Sequence, residues 1–481
     1  MKKRLLYISL ISAAMAGSSC NKFLDVVPKG KDTPRTLEHY NGLLNSTALV
    51  NYADVVQAEN GSTTTKGTAV VSVMMGDDLI TDPLFLQVMG PSVANAYTWQ
   101  ADIFRPEDDV AEWGAFYGQN YVYNLIANNV MAVAGNEEKK RQVRAEARAA
   151  RALMHFMLVN YFGKPYNAAT AAGDPGIPVV KEANANGTIP PRSSVQEVYD
   201  FIISELQAAI PDLPEITPMR LRMGQAAGYY LLGQTYLTMG RYEAALKALE
   251  SCRAAVAKSH VPVRLYDYNQ MMPQWTSPAL PQYGVFGHPT QFDNEENIYL
   301  KQINILDFVF GNVAMLSPAA EEKFDPADLR LKFFYNKDYL TGSMTLPYKL
   351  RNSPIAINIG AGLPGLYLML AECEARTGNL AAAAADLLTL RKSRMPADKA
   401  VVSATTREEM IRFVIDERIR ELACTGQRWF DMRRLSNDPI FKDITYTHTL
   451  GSKTWTLSPE RLTLRIPAKI LQQNPGMPDN P

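Results

Sequence analysis

The chain has 481 residues, 49 basic against 49 acidic side chains, and 47% hydrophobic residues. That length allows two or three domain-sized units with a large core. The even charge excludes the basic footprint of a nucleic-acid binder, and four widely spaced cysteines exclude a zinc module or a dense disulfide framework.

Lys2, Lys3 and Arg4 open the chain, Leu5 through Ala16 follow as an apolar run, and Gly17-Ser18-Ser19 supply small residues before Cys20. The apolar run is about a dozen residues, short of the ~20 that span a bilayer, so residues 1–19 are expected to be a removable export signal. A cysteine in this place is where bacterial lipoproteins are cleaved and acylated, which makes Cys20 the expected lipid anchor. The leader carries three basic residues and no acid, so the mature chain is slightly acidic. No later stretch approaches 18 consecutive apolar residues, leaving Cys20 as the expected contact with lipid. Cys252, Cys373 and Cys424 fall in apolar helical contexts and read as buried free thiols.

Residues 61–105 show no helical period. Arg141 through Tyr161 is a long amphipathic helix candidate ended by Gly163 and Pro165, and Val195 through Ile210 is another, stopped by Pro211 and Pro214. Tyr229, Leu232, Gly233, Tyr236, Gly240, Tyr242, Ala245 and Leu249 fall at the spacings of a tetratricopeptide (TPR) repeat. Tyr367, Leu370, Ala371, Gly378, Leu380, Ala383 and Leu387 repeat the pattern, with Glu374 where an aromatic is expected. Small residues at Gly233 and Ala371 let paired helices approach, and Gly240 and Gly378 end the first helix of each pair. Between 260 and 364 the helical period disappears again, replaced by prolines interleaved with Tyr266, Tyr268, Trp275, Tyr283, Phe286 and Phe292. Loops of that length are disordered or functional, and the aromatic content argues for the second. Thr406 with Glu409 forms a capping box before the apolar face Ile411, Ile415, Ile419 and Leu422. Thr445–Leu450 and Lys453–Leu457 alternate around Gly451-Ser452, a hairpin with a type II′ turn. The expected fold is all-α dominated: a TPR-like helix-pair scaffold with an inserted irregular region and a small C-terminal β-hairpin.

Several stretches resemble the SusD/RagB family of surface lipoproteins. The mature start Cys20-Asn21-Lys22-Phe23-Leu24-Asp25 with Pro28 is similar to the family's opening, and Trp113 to Met131 and Arg144 to Tyr166 resemble two of its helices. Glu417-Arg418, Glu421-Leu422 and Gly426-Gln427-Arg428-Trp429-Phe430-Asp431-Met432-Arg433-Arg434 are the most specific match, and Ile466-Pro467, Asn474-Pro475 and Asn480-Pro481 resemble the family's ending. The resemblance implies an N-terminal region over 20–220 and a C-terminal region over 221–481, the latter interrupted by the 260–364 insertion. It further implies a protein held to the outer membrane, facing outward, that captures a polysaccharide, oligosaccharide or peptide. Its partner would be a TonB-dependent barrel of the SusC type, and no cofactor or covalent chemistry is implied.

Sugar recognition needs flat aromatic faces for the C–H side of a pyranose, with amides and carboxylates for its hydroxyls. Two segments offer that mixture: Asp77 and Asp78 through Asn95, Tyr97 and Trp99, and then Trp275, Tyr283, Phe286 and Phe292. Trp99 and Trp275 are the leading candidates for solvent-accessible platforms, against the reading in which each aromatic plugs the core under its own loop. A glycosidase would need two carboxylates ~5–10 Å apart across one bond. The doublets Asp77-Asp78 and Asp108-Asp109 do not supply that by themselves, since adjacent side chains point apart. Arg141, Arg144, Arg148 and Arg151 read as an ion-paired helix face. Arg428, Trp429, Asp431, Arg433 and Arg434 look like a binding cluster in isolation, but the motif recurs in the SusD/RagB family whatever the ligand, so the resemblance implies structural packing with buried Arg–carboxylate pairs. No nucleophile elbow, phosphate-cradling glycine loop or zinc-type histidine pair is present. The alternative to a nutrient-binding protein is an exported TPR scaffold that organises partners and binds no nutrient.

Overall fold

The structure, a computed structural model, describes residues 34–51, 55–57, 63–65, 71–184, 188–259, 261–276, 284–285, 287–338 and 341–481. Its principal helices are α1 (Ala111–Asn129), α2 (Glu137–Phe162), α3 (Val195–Ala209), α4 (Gln225–Thr238), α5 (Tyr242–Val256), α6 (Leu363–Thr377), α7 (Leu380–Lys392), α8 (Arg407–Leu422) and α9 (Gln427–Leu435). Each of α1 to α6 packs on its successor, and α6 also packs on α8. The helical class is the one expected.

Local chemistry explains where these helices begin and end. α2 starts at Glu137 because Asn136 caps it, its side-chain oxygen accepting the Lys139 N–H at 2.9 Å, with Glu137 and Glu138 set against the helix dipole. α3 and α8 both open with complete capping boxes, Ser194 with Glu197 and Thr406 with Glu409.

α4 with α5, and α6 with α7, are the two TPR-like hairpins. Gly240 (φ +72°) and Gly378 (φ +95°) turn the chain in the left-handed region at the end of each first helix. Gly233 lies where α4 and α5 approach most closely: a Cβ there would stand 2.6 Å from Leu249 Cγ and Cδ2. Glu374, the departure from the repeat, is buried with Oε1 3.7 Å from Arg253 of α5, which also donates to Asp386 of α7 at 2.8 Å. Burial, with Asp386 nearby, pushes the Glu374 carboxyl up to about 7.

The segments expected to be irregular are more ordered than that. Within 61–105, Val71–Met75, Pro83–Val88 and Pro91–Tyr97 form short helices. Asp82 caps the second, accepting the Leu84 N–H at 2.9 Å, and prolines occupy the first turn of the second and third. Helices of under two turns are too short to register a 3.6-residue period. The 260–364 insertion is built on short antiparallel ladders, Asn297–Tyr299 with Ala361–Gly362 and Gln302–Asn304 with Ala356–Asn358. A four-stranded sheet, in the order Leu79–Ile80, Met315–Leu316, Thr345–Arg351, Phe334–Lys337, joins the two segments. The C-terminal hairpin pairs Thr447–Leu450 with Lys453–Thr456, and of the two turn residues only Gly451 (φ +60°) has positive φ, as a type II′ turn requires.

One cluster of buried side chains runs from Leu37 to Ile466, and a smaller one, including Leu368, Leu387 and Val414, fills the space between α6, α7 and α8. Cys252, Cys373 and Cys424 are buried free thiols.

Candidate ligand-binding groove

Residues proposed from the sequence as a sugar platform serve the core. Trp99 is 4% exposed and Trp275 3%, so neither is the solvent-accessible face expected of it. Trp99 donates its indole N–H to the Met75 carbonyl at 3.1 Å, and its ring lies flat on His448. Tyr97 is fully buried, donates its hydroxyl to the Thr449 carbonyl at 2.7 Å, and stacks on the same imidazole at 4.3 Å. The C-terminal hairpin that brings His448 is some 350 residues away in sequence, at |i−j| 351 from Tyr97, so nothing local signals the pairing. Asp77 accepts from Arg428 Nε at 2.5 Å. Asp78 is buried and accepts the Cys424 N–H at 2.7 Å, and burial beside Asp77 pushes its carboxyl up to about 7. Asn95 donates to the Asp102 and Ile103 carbonyls at 3.1 and 3.3 Å. Tyr283, Phe286 and Cys20 lie outside the described residues.

Trp275 has a supporting position instead. It packs against Tyr266 and Tyr268 with centroids 5.4 Å away, and against the His288 ring at 4.8 Å. His288 in turn lines an open groove of about 330 Å3 between the 285–292 loop and the 352–356 turn. Burial, with Arg351 and Arg394 close by, pushes the His288 imidazole down to about 4, so the ring is neutral at pH 7 and its Nδ1 donates to the Pro289 carbonyl at 2.9 Å.

The groove combines one wet aromatic with held amides. Phe292 is 42% exposed on its wall. Gln291 ties the two walls together, its Nε2 donating to the Ala356 carbonyl at 2.8 Å while its own oxygens accept from Asn297. Gln302 donates to Asn51 Oδ1 at 2.8 Å and keeps Oε1 without a partner among the described residues. Gln302 Oε1 is itself buried, so the Phe292 ring is the exposed apolar face of the groove, and such a face suits the C–H side of a ligand. Phe292 was legible as an aromatic in an irregular stretch. Gln302 was not, because its setting depends on the distant Asn51.

The cationic motif near the C-terminus is buried and largely ion-paired, with one departure: Arg433 donates to the Gly163 carbonyl at 2.7 Å and has no carboxylate partner among the described residues, so the Arg–carboxylate pair expected of it is not formed. Glu417 sits among Arg330, Arg391 and Arg420 at 2.8, 2.5 and 2.6 Å; burial alone would raise its carboxyl, yet the three guanidinium groups hold it far below the usual carboxylate range. Asp431, likewise buried, is held at about 2 by Arg418 and Arg434. Arg148 and Arg151 of α2 both reach Glu205 of α3, at 2.9 and 2.6 Å. Asp108 binds Arg105 and Asp109 binds Lys469, each at 2.8 Å, which accounts for that acidic doublet as ion pairs. Among the described residues no group of three or more His, Cys, Asp or Glu side chains is placed to hold a metal ion.

Comparison with known proteins matches residues 22–237 to a family described as "Starch-binding associating with outer membrane" and residues 365–481 to the SusD family. A SusD-like protein P2 of Formosa agariphila is 30% identical over 147 residues, a stretch covering 30% of this chain and 27% of that relative. A SusD superfamily protein of Bacteroides thetaiotaomicron superposes with a TM-score of 0.70 at 18% identity, over 93% of this chain and 100% of the other. A laminarin-binding SusD-like protein superposes with a TM-score of 0.60 at 18% identity, over the same shares. Both family regions occur in order along one continuous fold, and the chain belongs to the SusD/RagB family.

Proposed function

We propose that this protein is a lipid-anchored binding protein of the cell surface that captures a glycan in the groove at Phe292 and delivers it to a SusC-type TonB-dependent transporter in the outer membrane. The observation that carries the reading is the exposed Phe292 ring on the wall of a groove framed by the inserted segment. Family membership supports a binding role without catalysis, and the laminarin-binding neighbour supports a carbohydrate over other ligands. Among the described residues no helix is long and apolar enough to cross a membrane; attachment is assigned to acylated Cys20.

Calorimetry of the full mature chain against a panel of oligosaccharides tests this. Wild type binds at least one glycan, and Phe292→Ala weakens that binding by about tenfold or more, because a truncated aromatic anchor commonly loses ~1–2 kcal/mol, while the melting temperature holds. A wild-type chain that binds peptides and no glycan sinks the proposal.

A further inference from the structure

The groove meets a second, smaller space. A cleft of about 170 Å3 shares His288, Gln291 and Pro354 with the groove and continues between the insertion and helices α6 and α8. Four arginines line it: Arg330, Arg351, Arg418 and Arg420. Three are neutralised by the protein. Arg330 pairs with Asp328, Glu417 and Glu421, Arg418 with Asp431, and Arg420 with Glu417. The two carboxylates in the same walls are also committed, Glu296 to Arg394 and Glu421 to Arg394 and Arg330.

Arg351 differs. It is 8% exposed, its Nη1 donates to the Ala423 carbonyl at 2.9 Å, and its Nε has no acceptor among the described residues. Its guanidinium stands 5.6 Å above the Phe334 ring, and among the described residues no carboxylate lies within ion-pair distance of it. A cation removed from water without an anion is unfavourable, and cations so buried ordinarily have a partner. His288, on the shared wall, is kept neutral by burial with Arg351 and Arg394 close by, so it adds no competing positive charge; the Asp78 and Glu421 carboxylates act on Arg351 only from beyond ion-pair distance. The cleft is smaller than a typical pocket for a whole ligand (~300 Å3 and above) and suits one acidic ring or substituent.

We infer that this cleft is a carboxylate subsite in which Arg351 completes its coordination with an acid group of the ligand, so that the captured glycan is acidic, carrying uronic acid residues. The inference rests on the reading of the Phe292 groove as the glycan site. Its neighbour Asn297 is held by Asn358 and Gln291 rather than free, which leaves the guanidinium as the charged recognition element.

The test is calorimetry of the intact mature protein with oligogalacturonate, oligoglucuronate and alginate oligomers, each paired with its carboxyl-reduced neutral counterpart. At least one uronate should bind tenfold or more tighter than its reduced form, with an affinity that falls as salt is raised. Arg351→Gln should erase that preference while keeping the residual affinity for the neutral form; the acid-versus-reduced comparison on wild type stands even if the variant does not fold. Equal wild-type affinity for acidic and reduced partners overturns the carboxylate subsite and leaves the groove as a neutral-glycan site. Failure of wild type to bind any glycan overturns both readings, and tight binding of acidic peptides alone overturns the assignment to an acidic sugar.

Discussion

The imidazole of His448 lies flat against the indole of Trp99, with ring centroids 4.0 Å apart and planes 11° from parallel. Tyr97 covers the same ring at 4.3 Å, and the two His448 nitrogens lie 2.6 and 2.8 Å from the carbonyls of Tyr97 and Gly76. The stack therefore staples the C-terminal hairpin to the 71–99 segment. Trp99 itself holds φ +48°, a costly backbone for a bulky residue that only tight surroundings maintain. Trp99→Ala should lower stability by about 3–5 kcal/mol in urea denaturation, the usual cost of emptying a buried aromatic site. A variant that keeps wild-type stability and loses only ligand affinity would return Trp99 to the binding surface.

Gly233 gives a second stability test. A Cβ on this residue would stand 2.6 Å from Leu249 Cγ, so a side chain here must push α4 and α5 apart. Gly233→Leu is expected to cost ~1–3 kcal/mol or more by overpacking. Thermal unfolding indistinguishable from wild type would contradict the close helix crossing.

Glu112 supplies a pH signature. It is fully buried on α1, its Oε1 accepts the Val71 N–H at 3.2 Å, and its Oε2 has no partner among the described residues. Burial pushes the carboxyl up to about 7 from an ordinary 4.5. The folded state thus holds a proton that the unfolded state releases. The group's contribution is full below pH 4.5 and is lost as the pH rises through 7, up to about 3 kcal/mol at 1.36 kcal/mol per pKa unit. Glu112→Gln imitates the protonated form, so the stability difference between variant and wild type should move in the variant's favour between pH 4.5 and 8. Parallel stability curves across that range would show that Glu112 is not protonated in the native protein.

Cys20→Ala tests the anchor. The substituted protein should appear in the soluble fraction, whereas wild type should partition with outer membranes, because stable attachment takes more than one acyl chain. The fractionation is done in cells lacking any SusC-type barrel, and a variant still bound to membranes there would end the lipoprotein proposal.

Elements set by short-range chemistry were legible in the chain itself. The glycines at 240 and 378 turn the repeats because their backbone is left-handed there, and Thr406 with Glu409 and Gly451-Ser452 mark a helix start and a hairpin turn within a few residues. The Glu417 to Arg434 motif was readable as packing only through the family resemblance, since in isolation it looks like a binding cluster; its ion pairs lie within and between adjoining helices, with Arg433 the exception. Which aromatics face water was not readable. Trp99 and Trp275 stand in polar, loop-like sequence, yet the first is buried by a hairpin from the far end of the chain and the second by Tyr266, Tyr268 and His288. Arg351 looks like any strand arginine until the tertiary structure shows four guanidinium groups around one cleft and counter-ions for three. Local pattern determines conformation because caps, turns and periods act over a few residues, whereas exposure and charge balance depend on contacts between segments hundreds of residues apart, and only the folded chain decides those.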